Sequence, residues 1–205
     1  MTISHIERLD SVAEQGLQRL IQGNQRFMRG EAHFPTVSKE TLADLAKGQK
    51  PFATILGCSD SRVPPELIFD ANFGELFIVR VAGNVISPEV MGSLQYAGAH
   101  LQTPLFVVLG HEGCGVVNAA LATMFERQQH RSYMQTLVEN ILPGLLGIGS
   151  EASAEARLSM AVEANVRWSI QQILETVEGQ HATRAGARLV GAVYEIASGY
   201  VRLLA

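Results

Sequence analysis

Long hydrophobic runs are missing from this sequence of 205 residues. Its longest apolar stretch, "ILPGLLGIG", is far shorter than the roughly 20 residues that a membrane-spanning helix needs. The opening residues, "MTISHIERLDSVAEQ", contain neither a basic leader nor an apolar core ahead of a small-residue cleavage site. We therefore expect no membrane segment and no secretory signal, and we predict a cytoplasmic protein.

Positive charge is scarce as well. The chain has 16 Lys and Arg residues against 20 Asp and Glu residues, a formal net charge of −4 at pH 7. Its arginines are scattered and do not form the basic stripe or patch with which proteins neutralise nucleic-acid phosphates. We expect no nucleic-acid partner, and a small or neutral-to-anionic substrate has to be attracted by charges close to its own site.

Cysteine occurs only twice, as Cys58 and Cys114. Two cysteines in a chain with no predicted secretory signal are poor candidates for a disulfide, because the cytosol keeps thiols reduced. Each follows an apolar run and has a glycine neighbour, in "GCSDSR" and "GHEGCG", and the second segment also contains His111. Two thiolates and one imidazole are a ligand set that suits Zn²⁺, and three protein ligands leave a fourth position open for catalysis.

Short β-rich runs dominate the chain from residue 52 onward. They are bounded by glycine, proline or polar residues, and they suit strands buried on both faces of a mainly parallel sheet. Between the second and third runs, Ser87 and Pro88 are a typical N-cap and first residue of a helix. We predict an α/β fold with flanking helices and a final strand, turn and strand around Ser198 and Gly199. The predicted strand segments are "FATILG", "ELFIVRV", "PLFVVLG" and "RLVGAVYEI".

The N-terminal segment has a different, helical pattern. Apolar residues recur at mostly helical spacing from Ile6 to Phe27, which indicates one amphipathic helix or a pair. A second, short helix is predicted to follow, with Ser38 as its N-cap. We predict a single domain in which residues 1–48 are a helical arm and residues 49–205 are the α/β core.

The predicted strand ends can bring the candidate ligands together. In an open α/β sheet, the carboxyl ends of the strands line the crevice where ligands bind, so Cys58 can meet His111 and Cys114 there. Asp60 and Arg62 are close enough to pair within the loop after Cys58, and the carboxylate could orient a zinc-bound hydroxide or turn to the ion and close the site. The residues alone are also compatible with other interpretations. The cysteines could be buried structural residues, a Cys58/Cys114 redox pair or ligands of a closed structural zinc site, and Asp60 and Arg62 could form an ordinary loop salt bridge.

Over nearly its whole length the chain resembles the β-class carbonic anhydrases. The resemblance is carried by Cys-x-Asp-x-Arg in "GCSDSR" and His-x-x-Cys-Gly in "GHEGCG", and further matching segments include "GNQRF", "EANV" and "GAVYEIASGYVRLL". The resemblance implies a zinc lyase that hydrates CO₂ reversibly to bicarbonate and a proton through zinc-bound hydroxide. It places Zn²⁺ on Cys58, His111 and Cys114, and a catalytic pair at Asp60 and Arg62.

The resemblance also implies a substrate pocket and an assembly. Pocket positions carry over to Gln49, Phe77, Tyr96 and Gly115, and in this family the pocket is completed across a dimer interface, so we expect a homodimer or homotetramer. Core packing is the plainer role for Phe77 and Tyr96, and it is compatible with lining an apolar CO₂ pocket. Ile55 stands where bicarbonate-inhibited members typically carry tryptophan, which implies the open, non-allosteric type.

Other functions fit parts of the same pattern. A related hydrolase would keep the zinc hydroxide and act on CS₂ or COS, and a zinc-stabilised scaffold or sensor would bind zinc without turnover. A redox protein would form a Cys58–Cys114 disulfide and bind no zinc. Two departures from the family pattern, Glu195 and the "RVAGN" segment, lie outside the ligand set, and we expect them to affect packing or dimer contacts.

Overall fold

The fold is built around one β-sheet, seen here in a computed structural model that describes residues 3–33 and 37–204. Within those residues the sheet has five strands, in the spatial order β2-β1-β3-β4-β5. Four of them coincide with the four predicted strand segments. The strands are β1 (Ala53–Gly57), β2 (Leu76–Arg80), β3 (Leu105–His111), β4 (Arg188–Tyr194) and β5 (Val201–Leu204).

The sheet is mainly parallel, as predicted. Strand β1 pairs in parallel with both β2 and β3, and β3 pairs in parallel with β4. Only the β4–β5 pair of the described sheet is antiparallel, because the chain reverses in the predicted turn, where Gly199 adopts a φ of +75° and donates its N–H to the Glu195 carbonyl at 2.8 Å. The carboxyl ends of β1, β2, β3 and β4 therefore lie along one edge.

Helices cover both faces of the sheet. On one face, α1 (Ile3–Met28) and α3 (Pro65–Ile68) pack on the strands, and on the other face lie α4 (Pro88–Ala99), α5 (Gly115–Glu126), α6 (Ser132–Ile141) and α7 (Ala154–Glu175). Side chains alternate along each strand, so Ile55 is buried against the α1 face and Leu56 against the other. The remaining helices of the described residues are α2 (Lys39–Leu45), α8 (Val177–Arg184) and two short 3₁₀ helices, Ala82–Asn84 and Leu142–Leu145. None of the described helices is long and apolar enough to cross a membrane.

The predicted helix caps are present. The hydroxyl of Ser87 accepts the N–H of Val90 at 3.3 Å, and Pro88 is the first residue of α4. The hydroxyl of Ser38 accepts the N–H of Thr41 at 3.1 Å at the start of α2. Each cap satisfies a main-chain donor that the first helical turn would otherwise leave unpaired, which explains why the two helices begin where they do.

The first helix is continuous and is attached to the core. Its buried Asn24 donates to the Gly199 carbonyl at 2.8 Å and to the Ile68 carbonyl at 3.2 Å, and its Oδ1 accepts the N–H of Val201 at 2.9 Å. Leu17 of the same helix is also buried in the core. The C-terminal half of α1 is thus packed on the sheet, while the division at residue 48 into an arm and a core stays a prediction.

Candidate metal centre

The three predicted metal ligands meet at the carboxyl edge of the sheet. Cys58 directly follows β1, His111 is the last residue of β3, and Cys114 directly precedes α5. Because β1 and β3 are adjacent and parallel, their ends lie side by side. The two sulfur atoms and a ring nitrogen of His111 all lie within 4.8 Å of one another, and all three residues are buried. Gly113, at a φ of +64°, supplies the left-handed conformation that turns the chain back between His111 and Cys114.

The orientation of the His111 ring fits a metal ligand. Its Nδ1 lies 2.9 Å from the carbonyl oxygen of Glu112, so Nδ1 carries the proton and Nε2 presents a lone pair. That Nε2 is buried and has no hydrogen-bond partner. A buried polar atom without a partner is costly, and a cation bound to Nε2 removes the cost. Sulfur and nitrogen ligands in this number suit Zn²⁺, with one coordination position left over.

The pKa values of the two thiols are shifted in opposite directions. Hydrogen bonding from Cys114 lowers the pKa of Cys58 most, and contacts with His111 and with the N–H groups of Gly83 and Asp60, at 3.3 and 3.4 Å from the sulfur, lower it further. The same hydrogen bond, together with burial, raises the pKa of Cys114. Two adjacent buried thiolates repel each other, so both cysteines ionise together only when a cation compensates their charge.

Asp60 and Arg62 form the predicted fork. The guanidinium donates from Nε to Oδ1 at 2.9 Å and from Nη2 to Oδ2 at 2.8 Å, and the main-chain N–H of Arg62 donates to Oδ1 at 2.9 Å. These contacts hold the pKa of Asp60 well below its usual range. Oδ2 also lies 3.9 Å from Nε2 of His111, so the carboxylate borders the ligand cluster. An exposed loop salt bridge adds little stability, so what distinguishes this pair is its position.

Comparison with known proteins agrees with this site. A family model described as carbonic anhydrase matches residues 53–201. The chain belongs to the β-class carbonic anhydrase family. It is 36% identical over 186 residues to a carbonic anhydrase of Mycolicibacterium smegmatis. The aligned residues are 90% of this chain and 89% of that protein.

Two further relatives differ in how much of the chain they match. Carbonic anhydrase 2 of Mycobacterium tuberculosis is 48% identical over 127 residues, which is 62% of this chain and 61% of that protein, so the match spans less than two thirds of the relative's length. The crystal structure of a β-carbonic anhydrase from Aspergillus fumigatus superposes with a TM-score of 0.72 at 27% identity and covers 80% of each chain. The β-carbonic anhydrase fold is thus found in solved structures over most of this chain.

The structure brings only two of the four predicted pocket residues, Gln49, Phe77, Tyr96 and Gly115, into contact with each other. Phe77 on β2 and Tyr96 on α4 contact each other, with ring centroids 6.0 Å apart, and Tyr96 is 45% exposed. His100, which directly follows α4, stacks on Tyr96 with ring centroids 5.1 Å apart. Gly115 directly follows Cys114, and Gln49 lies exposed in the loop before β1. The structure therefore pairs Phe77 with Tyr96 and leaves Tyr96 and Gln49 open to solvent.

A mainly apolar cavity lies away from the ligand cluster. It measures about 370 Å³ and contains none of the predicted site residues. Its wall is mainly apolar and comes from α4, α7, α8, β3 and β4, with Leu94, Phe106, Ile173 and Leu189 among its residues. Cavity size alone therefore does not locate the metal site in a single chain, because the three ligands are packed closely together and buried.

Two groups of contacts around the ligands were not predicted. Arg80, at the end of β2, donates from Nε to the Cys58 carbonyl at 2.9 Å and from Nη2 to the Asp60 carbonyl at 2.7 Å. On the other side, buried Asn165 of α7 donates to the Gly83 carbonyl at 2.8 Å, in the turn whose N–H reaches the Cys58 sulfur. Both side chains lie in segments that resemble the family, but no spacing rule links them to Cys58.

Proposed function

We propose that this chain catalyses the reversible hydration of CO₂ to bicarbonate and a proton with zinc as its metal. The observation that carries the proposal is the cluster itself: two buried cysteine sulfurs and a ring nitrogen of His111 lie within 4.8 Å of one another, and Nε2 of that ring is buried without a hydrogen-bond partner. Family membership supports the same reaction.

Cys58, His111 and Cys114 would hold Zn²⁺ in this reaction. When bound, the ion would supply Lewis acidity and make hydroxide available near neutral pH, since zinc lowers the pKa of a coordinated water from about 15.7 toward about 7. The hydrogen bond from Nδ1–H of His111 to the Glu112 carbonyl fixes the ring, so that Nε2 is the nitrogen available to the metal. Three ligands leave one coordination position for the reaction, as in catalytic zinc sites.

Asp60 would orient the reacting water, and Arg62 would hold Asp60. The carboxylate stays ionised because of the Arg62 fork, so it accepts a hydrogen bond throughout the neutral range. Both of its oxygens are engaged by Arg62, which supports a site of the open type, in which Asp60 is not a ligand. Ile55 supports the same type, because this buried aliphatic residue stands where bicarbonate-inhibited members of the family typically carry tryptophan.

The substrate pocket would be completed by a second copy of the chain. Phe77 and Tyr96 offer an apolar surface for CO₂, Gln49 offers a hydrogen-bond donor for bicarbonate, and Gly115 leaves space beside Cys114 because no atom lies within 4 Å of where a Cβ would stand. The exposure of Tyr96 and Gln49 in the single chain supports an assembly in which a partner covers them. We propose a homodimer or homotetramer that works in the cytoplasm.

Stopped-flow CO₂ hydration at about pH 7 and pH 9 tests this function, on protein whose zinc content has been measured. We expect turnover that rises with pH and depends on zinc. Stoichiometric zinc with no turnover at either pH would contradict the proposal and favour a scaffold or a CS₂ or COS hydrolase. A Cys58–Cys114 disulfide with no zinc would favour the redox function.

A further inference from the structure

Arg80 reaches over the turn that carries both a metal ligand and the site carboxylate. It is the last residue of β2, and in the parallel register it stands beside Gly57, the last residue of β1. The turn that begins at Cys58 therefore starts next to the Arg80 backbone. Arg80 is exposed, so it is not a core packing residue.

The guanidinium holds two carbonyl groups of this turn at once. Nε donates to the Cys58 oxygen at 2.9 Å and Nη2 donates to the Asp60 oxygen at 2.7 Å. The two donors belong to one rigid planar group, so they fix the spacing of the two carbonyls relative to each other. The Asp60 oxygen also accepts the N–H of Val63 at 3.0 Å, which closes the turn from the other side.

The shape of this turn decides where the functional groups point. With the carbonyls directed to Arg80, the Asp60 N–H lies 3.4 Å from the Cys58 sulfur, and the Asp60 carboxylate lies 3.9 Å from Nε2 of His111. A small displacement of the turn moves the ligand and the carboxylate together. Misplacement of reacting groups by about 1 Å can cost about 100-fold in rate.

The pairing of Arg80 differs from that of an ordinary surface arginine. Within residues 3–33 and 37–204, its guanidinium forms no ion pair with a carboxylate, whereas Arg62 of the same site is fully committed to Asp60. The hydrogen bonds of Arg80 go to main-chain carbonyls of the site turn. A charged donor makes such bonds stronger than a neutral donor does.

We propose that Arg80 is a positioning residue of the metal centre, which holds the Cys58 and Asp60 carbonyls and thereby fixes both the Cys58 ligand and the Asp60 carboxylate. It acts through the main chain and touches no reacting atom. Its effect on turnover rests on the proposed function. Its effect on the turn and on metal binding is independent of the proposed function.

The test compares Arg80→Gln and Arg80→Lys with a matched control, Arg157→Gln. Arg157 also donates to a main-chain carbonyl, that of Ser150 at 3.0 Å, and stacks on Phe125, so it makes the same kind of bond outside the site. Three properties of the full chain are measured: hydrogen exchange of the amides of residues 58–63, the absorption spectrum of the cobalt-substituted protein, and the pH profile of kcat/KM for CO₂ hydration.

In Arg80→Gln we expect faster exchange in the turn, altered cobalt d–d and thiolate charge-transfer bands, and a fall in kcat/KM of about 10- to 100-fold, the usual range for groups that support metal ligands. Arg80→Lys should recover only part of each property, because an ammonium group lacks the planar fork. Arg157→Gln should match the wild type in all three measurements.

Wild-type exchange and a wild-type cobalt spectrum in Arg80→Gln would overturn the proposal, whatever happens to the rate. If Arg80→Gln fails to fold, the same two measurements on Arg80→Lys decide, since that variant keeps the charge. If the wild type itself shows no CO₂ turnover, the proposed function fails, but the exchange and cobalt data still decide the role of Arg80.

Discussion

Oδ2 of Asp60 lies 3.9 Å from Nε2 of His111, although Asp60 belongs to the loop after β1 and His111 is the last residue of β3. The carboxylate is already engaged by Arg62 and therefore borders the ligand cluster without joining it. This arrangement places an acceptor that is ionised at neutral pH beside the ligand cluster. The predictions below follow from it and from the contacts around it.

Replacing Asp60 by asparagine should reduce kcat/KM for CO₂ hydration by about 100-fold, in the range for a positioned proton acceptor. An amide is neutral and cannot take over the charged fork with Arg62. The matched control is Asp44→Asn. Asp44 is an exposed carboxylate of α2 and pairs with Lys47 at 2.7 Å. Near-normal rates in Asp60→Asn between about pH 7 and pH 9 would contradict the orienting role.

Replacing His111 by glutamine should remove zinc and abolish turnover, because it deletes the buried nitrogen that faces the two sulfurs. Cys114→Ser should do the same, since a serine hydroxyl is far less acidic than a thiol and is a poor zinc ligand. Metal content by mass spectrometry and turnover are measured on the same samples. His181→Gln is the control, because His181 is an exposed histidine of α8, and it should keep both. Full zinc content in His111→Gln would show that the metal binds elsewhere.

The contribution of Asp60 to stability should depend on pH only in acid. Its pKa is lowered in the folded protein, chiefly by Arg62, so this contribution is complete above the unfolded value of about 3.9 and is lost as the pH falls through the lower folded value. The Tm difference between wild type and Asp60→Asn should thus stay constant from about pH 9 to about pH 5. A difference that changes near neutral pH would mean that Asp60 titrates there.

The rate of CO₂ hydration should rise with pH because a group other than Asp60 loses a proton. We expect it to follow the formation of hydroxide near neutral pH, and the midpoint should move when zinc is replaced by cobalt, since the metal sets that acidity. The measurement is the pH profile of kcat for both metal forms at equal metal content. An identical midpoint in the two forms would assign the titration to a protein group.

Asn165→Ala should destabilise the fold by about 1–3 kcal/mol, because it leaves the buried Gly83 carbonyl without its donor. Denaturant unfolding at saturating zinc measures the change. Gln171→Ala on the same helix is the control, since Gln171 is exposed and donates to the Glu175 carboxylate at 2.9 Å, one turn away on the helix surface. The control should stay within about 0.5 kcal/mol of wild type. Equal stability of Asn165→Ala and wild type would mean that the network around Gly83 does not support the site.

Local patterns in the sequence predicted the sheet and the helix starts. The four β-rich runs became β1 to β4, and Ser38 and Ser87 cap the helices that follow them. Such features depend on neighbours within a few residues, so they can be read without the fold. The short helix α3 was not predicted, because four residues are too few to show a period.

The amino-acid sequence by itself determined which residues could bind a metal, since two cysteines and one histidine at strand ends exclude most other ligand sets. Only the tertiary structure decided what supports them. Arg80 reaches the Cys58 turn from a neighbouring strand, and Asn165 of α7 holds the Gly83 turn whose N–H contacts the Cys58 sulfur. Phe77 of β2 contacts Tyr96 of α4. These contacts join residues that are distant along the chain. They arise from strand order, register and helix packing, which no local pattern specifies.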